Sequence, residues 1–245
     1  MKDPKAFNFD GDYGEEYKEL ASRVIPGYDE LFIATLSLLQ ERLDKGAKIL
    51  IVGCGTGKEL EVFASAEDQW TFDCVDLGGR RIIKKKKVAG KMEISSRVQL
   101  HHCYTHELDP DIQFDAATII NVMHFLPDDG SKDALMQSVT ERVKPDGTVV
   151  LFDLHGDQSD PYFNLFYGAW KRFMDHRGYT GKKKERLLSR LDRGIAYASS
   201  DRILQICQDS GLHLIRSYWS GLLYTAWLFE RHGQKHLKSS MVKMI

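Results

Sequence analysis

Short apolar runs alternate along the chain with segments in which apolar residues recur at helical spacing. The run Lys48-Ile49-Leu50-Ile51-Val52 is too short for a helix and ends in a glycine-rich turn, which indicates a strand buried on both faces. A helix is predicted to follow at 57–66. The later predicted strands are 71–75, 98–102, 114–120 and 148–153, with helices at 79–91 and 131–143, Ser131 as a helix cap and 144–147 as a turn. This alternation predicts an α/β fold with a doubly wound, mostly parallel sheet.

The two ends of the chain break this alternation. Residues 13–43 show helical spacing interrupted at Pro26-Gly27, and no strand precedes them. Residues 155–199 are rich in aromatic and charged residues without a strand pattern, so a helical insertion after the fifth strand is predicted. A helix at 201–210 and strands at 211–219 and 222–229 follow, and the link Ser220-Gly221 predicts an antiparallel hairpin. The expected units are N-terminal helices (1–45), a core (46–154 and 200–232), the insertion (155–199) and a tail (233–245).

Composition describes an ordinary globular protein without a general preference for anionic partners. Hydrophobic residues make up 42% and charged residues 28% of the 245 residues, and the formal net charge is −1. Such a balance gives no overall attraction to nucleic acid or to an anionic membrane. The four cysteines show no paired spacing, the N-terminus lacks a signal-peptide pattern, and no apolar run approaches the roughly 20 residues that span a bilayer. A cytoplasmic protein with reduced thiols and no membrane partner is expected.

The loop Gly53-Cys54-Gly55-Thr56-Gly57 follows the first predicted strand, where ligands of open α/β sheets bind. Glycines let a ligand approach the backbone and allow positive φ. Asp76 ends the second predicted strand, where its carboxylate can accept hydrogen bonds from ribose hydroxyls. The dinucleotide fingerprint requires glycine at its sixth position, which is Lys58 here, so the spacing argues against NAD.

Four segments together resemble motifs of class I S-adenosylmethionine-dependent methyltransferases. Residues 49–57 resemble the family's first motif, Val75-Asp76 the second, 114–128 the fourth-strand motif and 143–147 the turn before the fifth strand. The terminal hairpin is similar to the family's sixth and seventh strands. The resemblance implies a Rossmann-like fold, an enzyme, and S-adenosyl-L-methionine as cofactor.

The resemblance also implies roles for individual residues. The glycine loop and Asn121 would border the methionine part of the cofactor or its methyl group, Asp76 the ribose and Leu77 the adenine. The complete set of implied cofactor residues is Gly53, Cys54, Gly55, Gly57, Asp76, Leu77, Tyr104, Thr105, Asn121 and Val122. The sequence departs from the family in two places. Ile51 stands where an acidic residue is common, and the family's adenine-binding acid after the third strand is missing, with Tyr104 and Thr105 in that neighbourhood.

The two ends of the chain carry a second resemblance. Residues 23–28 and 221–227 resemble the carboxy-S-adenosylmethionine synthase family and its methyltransferase relatives. That family converts S-adenosylmethionine to a carboxylated form with prephenate. That family's substrate segment is not intact between Tyr167 and Ser199 of this chain. A synthase is therefore kept as an alternative and not as the main interpretation.

Methyl transfer from a sulfonium is an in-line displacement, for which alignment and exclusion of water are the main requirements. A nucleophile that starts protonated also needs a base. His124 is the first candidate and His155 the second, because both follow strand ends. Either histidine could instead simply fill space beside the cofactor.

The substrate-side candidates are aromatic. Tyr13 and Tyr28 belong to N-terminal helices that either close over the cofactor as a lid or pack as an ordinary helix pair. Tyr167 and Trp170 recur at helical spacing, which favours core packing, but they follow the fifth strand, where an acceptor pocket would be lined. They suggest an apolar or aromatic small-molecule acceptor.

Two further clusters have ordinary explanations. His101 and His102 are adjacent in a predicted strand and point to opposite faces, so no metal site is predicted from them together with Cys103 and His106. The basic stretch at 80–87 reads as a solvated helix face, with contact to RNA as the alternative.

The sequence therefore predicts a methyltransferase acting on a small molecule. The alternatives are a synthase that modifies the cofactor, a tRNA-modifying methyltransferase, and a non-catalytic binding protein on the same fold. The sequence is compatible with a homodimer and does not determine the oligomeric state.

Overall fold

A single seven-stranded sheet organises the protein. The structure is a computed structural model that describes residues 20–78 and 94–233. Its strands are β1 (Lys48–Val52), β2 (Thr71–Val75), β3 (Val98–His101), β4 (Phe114–Ile120), β5 (Val143–Leu154), β6 (Leu212–Gly221) and β7 (Tyr224–Arg231). The order across the sheet is β3-β2-β1-β4-β5-β7-β6. Neighbours among β1 to β5 are parallel, and β7 is antiparallel to both β5 and β6. The predicted α/β class, mostly parallel sheet and C-terminal hairpin are confirmed.

The helices cover both faces of this sheet. Within residues 20–78 and 94–233 they include α1 (Tyr28–Arg42), α2 (Lys58–Ala66), α3 (Ser131–Arg142), α4 (Phe163–His176), α5 (Gly181–Gly194) and α6 (Ser200–Asp209). One apolar cluster joins Ile49 and Ile51 to α1, α2, α4 and α5, and the other joins Leu50 and Val52 to α3 and α6. Because successive side chains of β1 enter opposite clusters, this strand is apolar along its whole length. The insertion predicted after the fifth strand is thus the pair α4 and α5.

The predicted break in the N-terminal helices is confirmed. Residues 20–24 are helical, the chain turns at 25–27, and α1 begins after Gly27, which has φ of +60°. A Cβ atom at Gly27 would lie 2.1 Å from Cζ2 of Trp219, so a larger residue would displace the indole ring. The break therefore packs directly against the terminal hairpin.

The predictions of a helix cap at Ser131 and of a turn at 144–147 are wrong. Helix α3 begins at Ser131 without a side-chain cap, and the Ser131 hydroxyl donates to Oδ1 of Asp129 at 2.6 Å instead. Residues 144–147 lie inside β5, where the register shifts between the pairs Phe114–Val143 and Ala116–Thr148. Asp146 adopts φ of +62° there. Pairing with β4 on both sides makes the Pro-Asp-Gly segment a bulge rather than a turn.

The hairpin turn lies two residues beyond its predicted position. Gly221 still pairs with Tyr224, so Leu222 and Leu223 form the turn, with φ of +57° at Leu222. The prediction followed the glycine, but the ladder between β6 and β7 continues through it. The predicted helix at 79–91 and its basic stretch lie outside the described residues, as does the tail beyond residue 233.

The strand order determines where a ligand can bind. The chain runs from β1 outward to β2 and β3, then crosses back to β4 on the other side of β1. A crevice forms at the carboxyl ends of strands where the order reverses in this way. None of the helices in the described part of the chain is long and apolar enough to cross a membrane.

Candidate functional site

A cavity of about 550 Å³ opens at the carboxyl ends of β1, β2 and β4. Small-molecule sites occupy roughly 300 to 1,000 Å³, so this volume suits a nucleoside-sized ligand. Nine of the ten residues expected to contact a cofactor line it: Gly53, Cys54, Gly55, Asp76, Leu77, Tyr104, Thr105, Asn121 and Val122. The tenth, Gly57, is the N-cap of α2 with φ of +82° and completes the loop without lining the cavity.

The glycine loop makes a close approach to the loop after β4. Gly53 has φ of +68°, and a Cβ atom there would lie 2.4 Å from Cγ2 of Val122. The Gly53 amide donates to the carbonyl of Val75 at 2.8 Å, which ties the loop to β2. Only glycine fits this conformation and spacing without displacing Val122.

Asp76 connects the two loops that border the cavity. Its carboxylate is 3% exposed; Oδ2 accepts from the Gly55 amide at 3.0 Å and Oδ1 from the Gly78 amide at 2.9 Å. An ionised carboxylate accepts hydrogen bonds and donates none, which matches the hydroxyl donors of a ribose. The side chain therefore suits the ribose role and also holds Gly55 in place.

Asn121 is the clearest sign of a ligand in this cavity. It follows β4 with φ of +57°, is 9% exposed, and neither its side-chain oxygen nor its nitrogen has a hydrogen-bond partner among the described residues. An unsatisfied buried polar group costs roughly 1 to 3 kcal/mol, and strained backbone concentrates at functional sites. An amide held this way next to the glycine loop fits a polar ligand.

The opposite end of the cavity is apolar and open. Leu77 is 51% exposed and Tyr104 is 55% exposed, while Thr105 is buried. The Tyr104 ring stacks on His106 with centroids 5.4 Å apart. These surfaces suit a flat ring that needs apolar contacts, as expected for the adenine end.

His124 lies beside a second, smaller cavity of about 30 Å³. Its imidazole is buried, and Nδ1 forms a hydrogen bond with Oδ1 of Asp153 at 2.5 Å. Asn121 and Phe125 line both cavities, so the two adjoin. The remaining walls are apolar and come from residues 20–25, the end of β5, the start of β7 and α5: Leu20, Ala21, Val24, Ile25, Leu154, Leu187, Leu191 and Tyr224.

A buried lysine fixes the backbone around His124. Nζ of Lys132 donates to the carbonyls of Met123 at 2.7 Å and Ala196 at 3.0 Å, and the Ala196 amide donates to the carbonyl of His124 at 2.9 Å. Burial lowers the pKa of Lys132, although the nearby carboxylate of Asp153 opposes this shift. These bonds attach the loop after β4 to the segment that leads into α6.

The remaining candidates divide between the large cavity and the core. Tyr28 lines the large cavity. His155, Tyr167 and Trp170 line neither cavity, and Tyr13 lies outside the described residues. Nε2 of His155 lies 2.9 Å from Oγ1 of Thr225, and burial lowers the histidine pKa.

Tyr167 and Trp170 form hydrogen bonds within the protein and do not line either cavity. The Tyr167 hydroxyl donates to Asp192, and the fully buried Trp170 donates its indole N–H to the carbonyl of Val24 at 2.7 Å. Trp170 therefore holds the helical segment that forms one wall of the second cavity.

Several cavity residues were not identified from the sequence. Phe32 of α1 and Glu59 of α2 line the large cavity, and Glu59 is 5% exposed. The sequence signal for Glu59 was weak: an acidic residue in the first helical turn after a glycine loop. Asp153 is the penultimate residue of β5, 29 residues from His124, and nothing local indicated their pairing.

The histidines near β3 have separate partners. Nε2 of His101 lies 2.7 Å from Oδ1 of Asp73, whereas Nε2 of His102 lies 2.9 Å from the carbonyl of Leu77. Within residues 20–78 and 94–233, no group of three or more histidine, cysteine or carboxylate side chains is arranged to hold a metal ion.

Comparisons with known proteins identify the kind of domain that carries this cavity. Residues 50–149 match a family model described as a methyltransferase domain. No curated protein sequence matches the chain. The family match does not reach residues 23–28 or 221–227, so the resemblance of the ends to the carboxy-S-adenosylmethionine synthase family is not confirmed.

Solved structures share the fold at low sequence identity. The N-methyltransferase NodS from Bradyrhizobium japonicum, solved with S-adenosyl-L-homocysteine, is 15% identical with a TM-score of 0.60, covering 89% of this chain and 97% of its own. The [4+2]-cyclase SpnF is 13% identical with a TM-score of 0.62, covering 90% and 93%. The mitomycin 7-O-methyltransferase MmcR is 16% identical with a TM-score of 0.58, covering 86% and 60%.

The motifs, the sheet order and the family match all fall on the same part of the chain. Residues 50–149 are a methyltransferase domain, a kind of domain that transfers methyl groups from S-adenosyl-L-methionine.

Proposed function

We propose that this enzyme transfers the methyl group of S-adenosylmethionine to a small, largely apolar acceptor, with the cofactor bound in the 550 Å³ cavity. The observation that carries this proposal is the unpartnered Asn121 amide, which lies between the glycine loop and the second cavity. Buried side-chain amides are normally hydrogen-bonded, so a polar ligand is expected to supply the partners of the Asn121 side chain.

The cavity residues fit the parts of the cofactor. The glycine loop and Asn121 would hold the methionine part, the carboxylate of Asp76 would accept from the ribose hydroxyls, and Leu77 and Tyr104 would flank the adenine. When bound, the cofactor supplies a methyl group on a positively charged sulfur. The protein has to align an acceptor with that methyl group and exclude water.

His124 is proposed as the general base for an acceptor that starts protonated. Its Nδ1 is engaged by Asp153, and no described residue forms a hydrogen bond with Nε2. A carboxylate on one ring nitrogen fixes the orientation of the imidazole and leaves the other nitrogen to face an acceptor. The base would thus act on an acceptor in the second cavity, whose other walls are apolar.

The second cavity has room for about one water molecule, so an acceptor has to displace part of its wall. Residues 20–25 and α5 supply most of that wall. This arrangement supports the proposed division of the chain: 1–45 as a helical lid, 46–154 with 200–232 as the cofactor-binding core, and 155–199 as the substrate-side insertion. Tyr167 and Trp170 would support the wall rather than contact the acceptor.

Turnover with simple acceptors tests the proposal. The protein is incubated with S-adenosylmethionine and a panel of uncharged phenols, and S-adenosylhomocysteine is quantified by mass spectrometry. We expect at least one phenol to raise its formation above the acceptor-free rate, with an equal amount of methylated phenol. Cofactor binding without methylation of any small molecule offered would contradict the proposed acceptor class. A carboxylated cofactor after incubation with prephenate would support the synthase alternative instead.

A further inference from the structure

Glu59 places a second carboxylate in the wall of the cofactor cavity. It lies in the first turn of α2, is 5% exposed, and its Oε1 accepts a hydrogen bond from Oγ1 of Thr118 at 2.6 Å. Its placement on the cavity wall brings a carboxylate to the surface that a bound ligand would contact.

The methionine part of S-adenosylmethionine carries an ammonium group, which needs acceptors when it leaves water. Among the described residues that line the cavity, the carboxylates are Glu59 and Asp76. They lie on opposite flanks of β1, because Asp76 follows β2 and the Glu59 carboxylate is held by Thr118 of β4. Asp76 lies on the side proposed for the ribose, whereas Glu59 lies on the side of β4, the strand that Asn121 follows.

Sheet register explains how α2 can supply this charge. Thr118 pairs with Ile51 in the parallel ladder between β1 and β4, so their side chains share a face of the sheet. The Glu59 carboxylate therefore lies on the face to which a side chain at position 51 points. Position 51 is where this family commonly has an acidic residue and this chain has isoleucine.

We propose that Glu59 binds the ammonium group of the cofactor and supplies from α2 the carboxylate that position 51 lacks. This inference rests on the proposed cofactor cavity. It assigns the polar end of the cofactor to the side of the glycine loop nearest β4, next to Asn121 and away from the ribose.

The test compares two ligands by calorimetric titration of the full chain. One is S-adenosylhomocysteine, and the other is its deaminated analogue, in which a hydrogen replaces the ammonium group. We expect the wild-type protein to prefer S-adenosylhomocysteine by at least about tenfold, the effect of one charge-assisted hydrogen bond. Glu59→Gln should bind the two ligands with affinities within about twofold of each other.

Glu61→Gln is the matched control, because Glu61 is an exposed glutamate of the same helix that does not line the cavity. It should keep the wild-type preference. Should Glu59→Gln not fold, Glu59→Asp retains the charge on a shorter side chain and is expected to narrow the preference. Retention of the full preference in Glu59→Gln, or in Glu59→Asp if that is the variant measured, would overturn the inference. Wild-type protein that binds neither ligand would contradict the cofactor cavity itself, which is a different result.

Discussion

Asp76→Ala is expected to weaken binding of S-adenosylhomocysteine by at least about a hundredfold. Two hydrogen bonds from ribose hydroxyls to a carboxylate contribute roughly 1.5 to 3 kcal/mol each, and every 1.4 kcal/mol changes the dissociation constant tenfold. The same substitution removes the acceptors of the Gly55 and Gly78 amides. The glycine loop and the loop after β2 then lose the carboxylate that links them. Calorimetric titration measures the effect.

Asp68→Ala provides the control for this measurement, since Asp68 is an exposed aspartate away from the cavity. Its dissociation constant should equal that of the wild-type protein. Thermal unfolding of both variants establishes that each is folded at the titration temperature. A folded Asp76→Ala protein with wild-type affinity would show that the carboxylate does not contact the ligand.

His124→Gln is expected to lower the rate of methyl transfer to a phenol by about a hundredfold to ten-thousandfold, the usual contribution of a positioned general base. Affinity for S-adenosylhomocysteine should stay within about twofold, because the His124 side chain faces the second cavity rather than the first. Single-turnover rates at saturating cofactor isolate the chemical step from product release.

His155→Gln is the matched control for the base, since His155 lines neither cavity. It should leave the single-turnover rate unchanged. Equal rates for His124→Gln and the wild-type protein would remove His124 from the chemistry and leave alignment of the acceptor as the contribution of the site.

The strands that border the cavity could be predicted because their pattern is local. Lys48–Val52, Thr71–Val75 and Phe114–Ile120 begin and end where the apolar runs do. Each lies in the interior of a sheet covered on both faces, so most of its residues are apolar. The glycine loop and Asp76 follow two of these strands, and the parallel arrangement then brings them together.

Contacts across the fold could not be predicted in the same way. The partners Thr118 of Glu59 and Asp153 of His124 lie 59 and 29 residues away in the chain. The turn predictions at 144–147 and 220–221 followed proline, aspartate and glycine, but continued strand pairing determined the conformation of both segments. Helical spacing identified the packed face of α4, although it could not show whether Trp170 faced an acceptor or the core.

The fold alone does not determine the chemistry. A cyclase shares this fold as closely as the N-methyltransferase does, with TM-scores of 0.62 and 0.60. The assignment of this chain rests instead on the family match over residues 50–149 and on the cavity that these residues border. Identification of the acceptor therefore depends on the second cavity and on His124.

We propose that the cavity at the carboxyl ends of β1, β2 and β4 binds S-adenosylmethionine. Calorimetric titration of the unmodified protein with S-adenosylmethionine measures this binding. We expect saturable binding of one cofactor per chain, with competition by S-adenosylhomocysteine. The absence of both a binding signal and a shift in thermal unfolding temperature with either compound would contradict it.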